Sequence, residues 1–530
     1  MSSNNIFYIA PGPLPGTSAE EVGNKAWNLM RMAAAGLTVP MGFVLPVSWS
    51  KAFRPGAENR ALAETLQGGI ACLEKLTRLG FGSPRRPLLV SVRSGSAVSM
   101  PGMMETVLDI GLTMDSVDGL IRLTGNPRLG WDCYRRLIQV YAGVVQGLPT
   151  GPFDELVAQA VSNAGVQTER DLDYRALRQL SAELSGCFRE LAGEPFPADV
   201  HEQLQRAAVA VLRSWDAPKA AAFREMNHID DKIGTAVTIQ MMVFGNAGGE
   251  SGSGVAFTRN PATGVRELYL DFCFNGQGED VVAGRHRTDD DQRLRRSLPM
   301  VWKQLESTSH TLEVLFRDAQ DFEFTLQSGV LYLLQSRNAK RSDWAALRIA
   351  VDLVREGIIE PREAEQRLSH IDLSRVCRTR VETASAEPLA GAQAASIGVA
   401  SGAVALDSPA AERMAKDGHP VILVRREIST SDVSGIAAAA GILTALGSRT
   451  AHAAVVARQL GKVCMVDCAG LEVDLGRRCC RIGGRTINEG DYLSLDANQG
   501  SIYSGQLKVV TERPERELKA VARWSLAAAG

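Results

Sequence analysis

The apolar pattern changes period twice along this chain, and no other feature limits its fold as strongly. In the first third, short apolar runs alternate with Gly and Pro: 88–92 (LLVSV) reads as a buried strand and the following RSGSAVSMPGMM as a loop. From Gly130 to Trp215 the spacing turns helical, in segments such as DELVAQAVSNA and LSAELSGCFRELAG. Strand-like runs return at 235–244, followed by a Gly-rich loop over 245–264 (GNAGGESGSGVAFTRNPATG) and a further strand over 267–274. A helical subdomain, near 112–215, thus interrupts an α+β unit that spans 1–340.

A charged helical connector follows over 341–385, and the Ala, Gly and Ser of 384–396 read as a linker. A compact α/β unit occupies 386–506, and 507–530 forms an amphipathic helix. With 530 residues, at roughly 100–200 per domain, three or four units are expected. The 58 Lys and Arg nearly balance 60 Asp and Glu and are scattered, which argues against nucleic-acid binding. The longest apolar stretch, 435–446 (GIAAAAGILTAL), falls short of the roughly 20 residues of a membrane span, and the first basic residue is Lys25. A cytoplasmic protein with no membrane contact is expected. Nine dispersed cysteines suit a reducing compartment, and Cys464, Cys468, Cys479 and Cys480 match zinc-ligand spacing poorly.

Three segments can carry chemistry. There is no GxxxxGK[ST] and no GxGxxG after a strand, but five glycines between Gly245 and Gly254 free the backbone to turn its N–H groups toward anionic oxygens. Gly248, Gly249, Gly252 and Gly254 are the candidates; a flexible surface loop would have the same composition. In 321–337 (DFEFTLQSGVLYLLQSR), alternation reads as two strands around Ser328-Gly329. A three-residue loop, Ser328 to Val330, sets Asp321 opposite Arg337 and Glu323 opposite Gln335 on one face. Phe322, Phe324, Leu326, Tyr332 and Leu334 then form the other. Carboxylates at i and i+2 on a strand are hard oxygen ligands suited to Mg²⁺ on a nucleotide triphosphate, with Arg337 as a phosphate clamp; a solvated ion pair explains the spacing equally well. His452 stands at a helix start in TAHAAVVAR, where an imidazole nitrogen could attack phosphorus and hold it as a phosphoramidate, or simply cap or pack the helix.

Together the motifs GNKAWNL (23–29), LLVSVRSGSAVSMPGMMETVL (88–108), GNPRLGWDCYRRLIQVY (125–141), the 245–264 segment, NGQGEDVVAG (275–284), DFEFTLQSGVLYLLQSRNAKR (321–341) and GILTALGSRTAHAAVVARQLGK (441–462) resemble the pyruvate, phosphate dikinase family, from about residue 20 to 506. The resemblance implies an ATP-grasp nucleotide-binding domain with a helical insertion, plus a swivelling β/α phosphohistidine domain. It implies transfer of a pyrophosphoryl group from ATP to His452 with release of AMP. The γ-phosphoryl then passes to phosphate, and the remaining phosphoryl group to a small-molecule acceptor. By motif position Lys25 and Arg93 hold ATP phosphates, Asp321 and Glu323 bind Mg²⁺, Gln335 and Arg337 are phosphate-side partners, and His452 is the carrier. Lys25 and Arg93 rest on the resemblance alone.

Two departures qualify the resemblance. Family members continue into a (β/α)₈ barrel of about 250 residues that binds pyruvate and phosphoenolpyruvate, whereas here only the last helix follows. Pyruvate turnover is therefore expected to need a separate barrel-bearing subunit; a truncated chain or another acceptor would equally explain the ending. The implied partners are ATP, AMP, phosphate or pyrophosphate, and the small-molecule acceptor, with homodimer formation open. Around the histidine, the family's GGxT[SC]H reads Gly447-Ser448-Arg449-Thr450-Ala451-His452, which removes a hydroxyl or thiol beside the ring and replaces a glycine. Thr450 matches a regulatory phosphorylation site of plant relatives, though its residue type also suits a helix cap. A phosphocarrier or regulatory nucleotide-binding protein acting on a protein partner is the alternative function.

Overall fold

The structure is a computed structural model that describes residues 6–52, 60–98, 100, 104–278, 281, 291–382, 387–428, 432–447, 456–458 and 460–528. It divides into two compact units, one of residues 1–248 with 331–336, the other of 249–330 with 337–530.

In the first unit an antiparallel sheet runs in the order Phe7–Ile9, Gly42–Leu45, Ala236–Met241, Val90–Gly95, Thr106–Ile110. Its last two strands in sequence are separated by the helices Met114–Thr124, Pro127–Val140, Gly151–Ala164, Tyr174–Ala192, Val200–Arg213 and Pro218–Met226. Local chemistry sets their ends. Asn126 caps Leu129 N–H with Pro127 at the first helical position, Asp173 caps Arg175 and Ala176, and Gly125, Gly165 and Gly193 close helices in the left-handed conformation. Strands and helices share one core, in which Phe43, Val92, Leu137, Tyr141, Phe188 and Leu204 are fully buried. Within it Asp132 receives Arg135 through both Nε (3.0 Å) and Nη2 (2.7 Å) and Arg136 through Nε (3.1 Å).

The second unit contains Gln320–Gln327, Gly252–Phe257 and Tyr269–Phe274, paired in that order; the strand Val330–Asn338 begins and ends in this unit, while its residues 331–336 belong to the first. Just past the Gly252–Phe257 strand, fully buried Arg259 grips both oxygens of Glu313 at 2.8 and 2.9 Å and also reaches Glu356 at 2.8 Å. It thereby joins the Pro299–Phe316 helix to the end of the Asp343–Arg355 helix. That second helix and Pro361–Leu368 pack with the C-terminal helix Glu515–Ala528 through Trp344, Leu347, Leu518, Val521 and Trp524.

An eight-stranded sheet completes this unit, with a parallel centre of Val399–Ala405, Val421–Arg425, Gly441–Thr444 and Val463–Val466. Its edges correct the linker assignment for 384–396: Ala390–Gly391 and Gln393–Ser396 are its two outer strands. Small residues carry no hydrophobic period, and backbone pairing alone makes these segments strands. Before the C-terminal helix, Val509–Glu512 pairs with Arg378–Val381, fastened by Arg378 on Glu512 at 2.9 Å, so the stretch from 507 is not helix throughout.

Candidate functional site

Antiparallel partners share a sheet face. The register of the three paired strands Gln320–Gln327, Gly252–Phe257 and Tyr269–Phe274 of the second unit therefore puts Tyr269, Phe257 and Asp321 in one row and Asp271, Val255 and Glu323 in the next. The hydroxyls of Ser253 and Thr325, 3.1 Å apart, continue this polar face. The other face is aromatic, with Phe272 and Phe324 stacked at 5.8 Å and 5° and Phe322 beside Phe324 at 6.0 Å.

The glycines between those rings revise the reading of 245–264 as a single loop, because Gly252–Phe257 is a strand within it. A Cβ on Gly252 would lie 2.2 Å from Phe272 Cζ, and one on Gly254 would lie 2.5 Å from Phe324 Cζ and 2.8 Å from the Asp271 carbonyl. Both residues are small because rings from neighbouring strands lie over them, and their backbone belongs to the ladder rather than to a phosphate-holding loop. Gly248, at φ +140°, and Gly249 remain in the preceding turn, where a Cβ on either meets nothing within 4 Å.

The hairpin turn also differs from expectation. Val330 opens the second strand, leaving a two-residue turn of Ser328 (φ 49°) and Gly329 (φ 80°), both left-handed as a type I′ turn requires. Arg337 Nε nevertheless donates to Asp321 Oδ2 at 2.7 Å, and the Ala339 N–H reaches the Ala319 carbonyl. Between the turn and these pairs the second strand carries one more residue than the first, as in a β-bulge. On that strand Leu331 and Leu333 are buried, while Tyr332 and Leu334 are half-buried.

Asp321 is 6% exposed and Glu323 is half-buried. Burial pushes the Asp321 carboxyl above its ordinary value; Arg337 pulls it back, Glu323 adds to the rise, and the charge of Arg458 pulls it down again. Two carboxylates side by side on one face, one of them held out of water, form a donor set that fits a hard divalent cation.

In the first unit, Gly23 adopts φ +78° where a Cβ would lie 2.4 Å from the Gly95 carbonyl, so the Ala19–Ala34 helix meets the Val90–Gly95 strand at contact distance. The Asn24 N–H donates to the Ser96 carbonyl at 3.0 Å, which brings Lys25 alongside the end of that strand. Arg93 lies on the same strand between Thr106 and Thr238, and both cations are half-buried. Gln335, half-buried, belongs to the 331–336 segment of this unit, which Asn28 anchors through the Ser336 carbonyl at 2.8 Å.

His452 and Thr450, with Ser448 and Ala451, lie outside the described residues. Residues 456–458, just behind, are helical, and Arg458 donates to the Ala395 carbonyl while its charge acts on Asp321. Sequence reasoning missed Arg458, Tyr269 and Asp271. Tyr269 and Asp271 share the carboxylate face through strand register, and Arg458 is held by the Ala395 carbonyl through packing; local spacing gives no signal for either.

Comparison with known proteins gives this geometry a family. Residues 50–303 match the model described as pyruvate phosphate dikinase, AMP/ATP-binding domain, and residues 418–500 match PEP-utilising enzyme, mobile domain. The class is thus a nucleotide-binding domain joined to a mobile domain. Pyruvate, phosphate dikinase of Clostridium symbiosum is 40% identical over 510 residues, 95% of this chain and 58% of that protein. Pyruvate, phosphate dikinase 2 of Zea mays is 40% identical over 515 residues (95% and 58%), and the chloroplastic enzyme of Flaveria pringlei 40% over 531 residues (99% and 55%). The chain belongs to the pyruvate, phosphate dikinase family, and it spans little more than half the length of these relatives. Among the described residues no helix is long and apolar enough to cross a membrane.

Proposed function

We propose that the chain performs the nucleotide half of a dikinase reaction, with an ATP-grasp domain as donor site and a swivelling domain as carrier. An imidazole nitrogen of His452 attacks the β-phosphorus of ATP, the bond to the AMP oxygen breaks, and AMP leaves. The γ-phosphoryl group then passes from the pyrophosphohistidine to phosphate, and the remaining phosphohistidine delivers its group to a small-molecule acceptor. That acceptor is pyruvate where a separate barrel-bearing subunit supplies its site.

The observation that carries this reading is the pair of carboxylates two residues apart on one strand face, Asp321 buried and held by Arg337 at 2.7 Å with Glu323 beside it. Asp321 and Glu323 would hold Mg²⁺, which when bound neutralises phosphate charge. Lys25 and Arg93 hold phosphate oxygens, and the Gly248 and Gly249 backbone lines their approach. Gln335 and Arg337 orient the transferred group, and the hydrogen bond from Arg337 offsets part of the rise that burial imposes on the Asp321 carboxyl. Positioning and charge neutralisation are most of what phosphoryl transfer asks of a protein. Tethering turns each transfer into an intramolecular encounter.

The test is intact mass under non-acidic conditions after incubation with Mg·ATP, with and without phosphate, while nucleotides are followed. Wild type should gain a phosphoryl or pyrophosphoryl adduct and release AMP, and His452→Ala should do neither. Asp321→Ala and Glu323→Ala should abolish labelling in a folded chain; normal labelling in both would remove them from the metal site. ATP binding with no adduct and no AMP would instead favour a regulatory nucleotide-binding protein acting on a protein partner.

A further inference from the structure

The carboxylate face meets the eight-stranded sheet at one edge. Tyr269 begins its strand in the row that contains Phe257 and Asp321, and its hydroxyl donates to the Ala394 carbonyl at 2.5 Å. Ala394 lies on Gln393–Ser396, an outer strand of the eight-stranded sheet. The pairing of that strand with Val463–Val466 shifts register between Ala394 and Ser396. Such a bulge turns backbone groups out of the ladder. The Ala394 carbonyl thus meets Tyr269, and the Ala395 carbonyl takes Arg458 Nε at 3.1 Å. The Tyr269 ring rests edge-on against Phe257 at 6.1 Å, which fixes where its hydroxyl points. Phe257 in turn packs against the cluster of connector helices.

We infer that Tyr269 is a positioning residue that latches the mobile domain in its nucleotide-facing position, its hydroxyl holding the bulged edge strand at Ala394. The inference rests on the proposed carrier reading and adds a named contact to it. A phenol-to-carbonyl bond suits a contact that must break in every cycle. It is neutral and short in reach, and both groups find water partners once separated. Its orientation also matters: Asp321 lies in the same row as Tyr269, so an edge strand seated on Tyr269 brings the Arg458 helix to the carboxylates.

Tyr269→Phe in the full chain keeps the ring on Phe257 and deletes only the hydroxyl. Amide hydrogen exchange without nucleotide reads docking independently of chemistry: exchange in the 387–398 peptide should rise about fivefold, the scale of one neutral hydrogen bond. The single-turnover rate of His452 phosphorylation by Mg·ATP should fall by the same factor. So should the reverse discharge by AMP and pyrophosphate, while Mg·ATP affinity and the melting midpoint stay at wild-type values. A purely structural tyrosine would move the midpoint instead. Unchanged exchange in the variant overturns the latch, whatever the activity. If wild type forms no phosphohistidine yet exchange rises in the variant, the latch stands and the carrier reading falls.

Discussion

Gly254→Ala separates two meanings of the same glycine. If Gly254 belongs to a phosphate-holding loop, a methyl group there should weaken nucleotide binding and leave stability alone. In the strand, the new Cβ lies 2.5 Å from Phe324 Cζ, 2.7 Å from Phe324 Cε1 and 2.8 Å from the Asp271 carbonyl. Ordinary contact would require a displacement of nearly an ångström. Phe324 cannot easily yield, because it is 1% exposed and stacked on fully buried Phe272. Overpacking of this kind costs about 1–3 kcal/mol, offset in part by the roughly 0.5–1 kcal/mol that Ala recovers in chain entropy. A net loss of about 1.5 kcal/mol corresponds to a fall of about 2–4 °C in the melting midpoint of a unit this size. Calorimetry gives the midpoint, and the pair Gly254→Ala and Phe324→Leu supplies a cycle: removing the ring should relieve the clash, so the double variant loses less than the sum of the singles. An unchanged midpoint with weakened Mg·ATP binding would refute the packing argument and return Gly254 to the phosphate loop.

Three further outcomes follow from other contacts. Gly249→Ala, with open space around its Cβ, should leave the midpoint unchanged, as calorimetry would show. Arg259→Met strands the buried Glu313 carboxylate and should cost about 3–5 kcal/mol in urea unfolding, with Glu313→Leu added to it restoring most of the loss. Asp132 is buried, which alone would raise its carboxyl, but Arg135, then Arg136 and Arg128, hold it well below the carboxylate range. A depressed folded value means that its contribution is full above about pH 4 and is lost as pH falls toward that value. Acid titration of stability should therefore be steeper in wild type than in Asp132→Asn, which starts lower; parallel curves would show that Asp132 is not the linked group.

The sequence by itself determined whatever depends on neighbours within a few residues. Helical spacing marked the stretch whose helices run from Met114 to Met226, because each must bury one stripe. Alternation in 320–327 put Asp321 and Glu323 on one face and Phe322, Phe324 and Leu326 on the other, since a strand can divide water from core in only one way. Only the tertiary structure decided what those faces meet. Gly252 and Gly254 owe their size to rings on strands far along the chain. Strands at 390–396 exist through backbone pairing that small side chains do not announce. Tyr269, Arg259 and Arg458 acquire partners through register and packing. Local periodicity reports how each segment divides between solvent and core; the identity of the groups across each contact is a long-range property, fixed when the strands pair and the sheets pack.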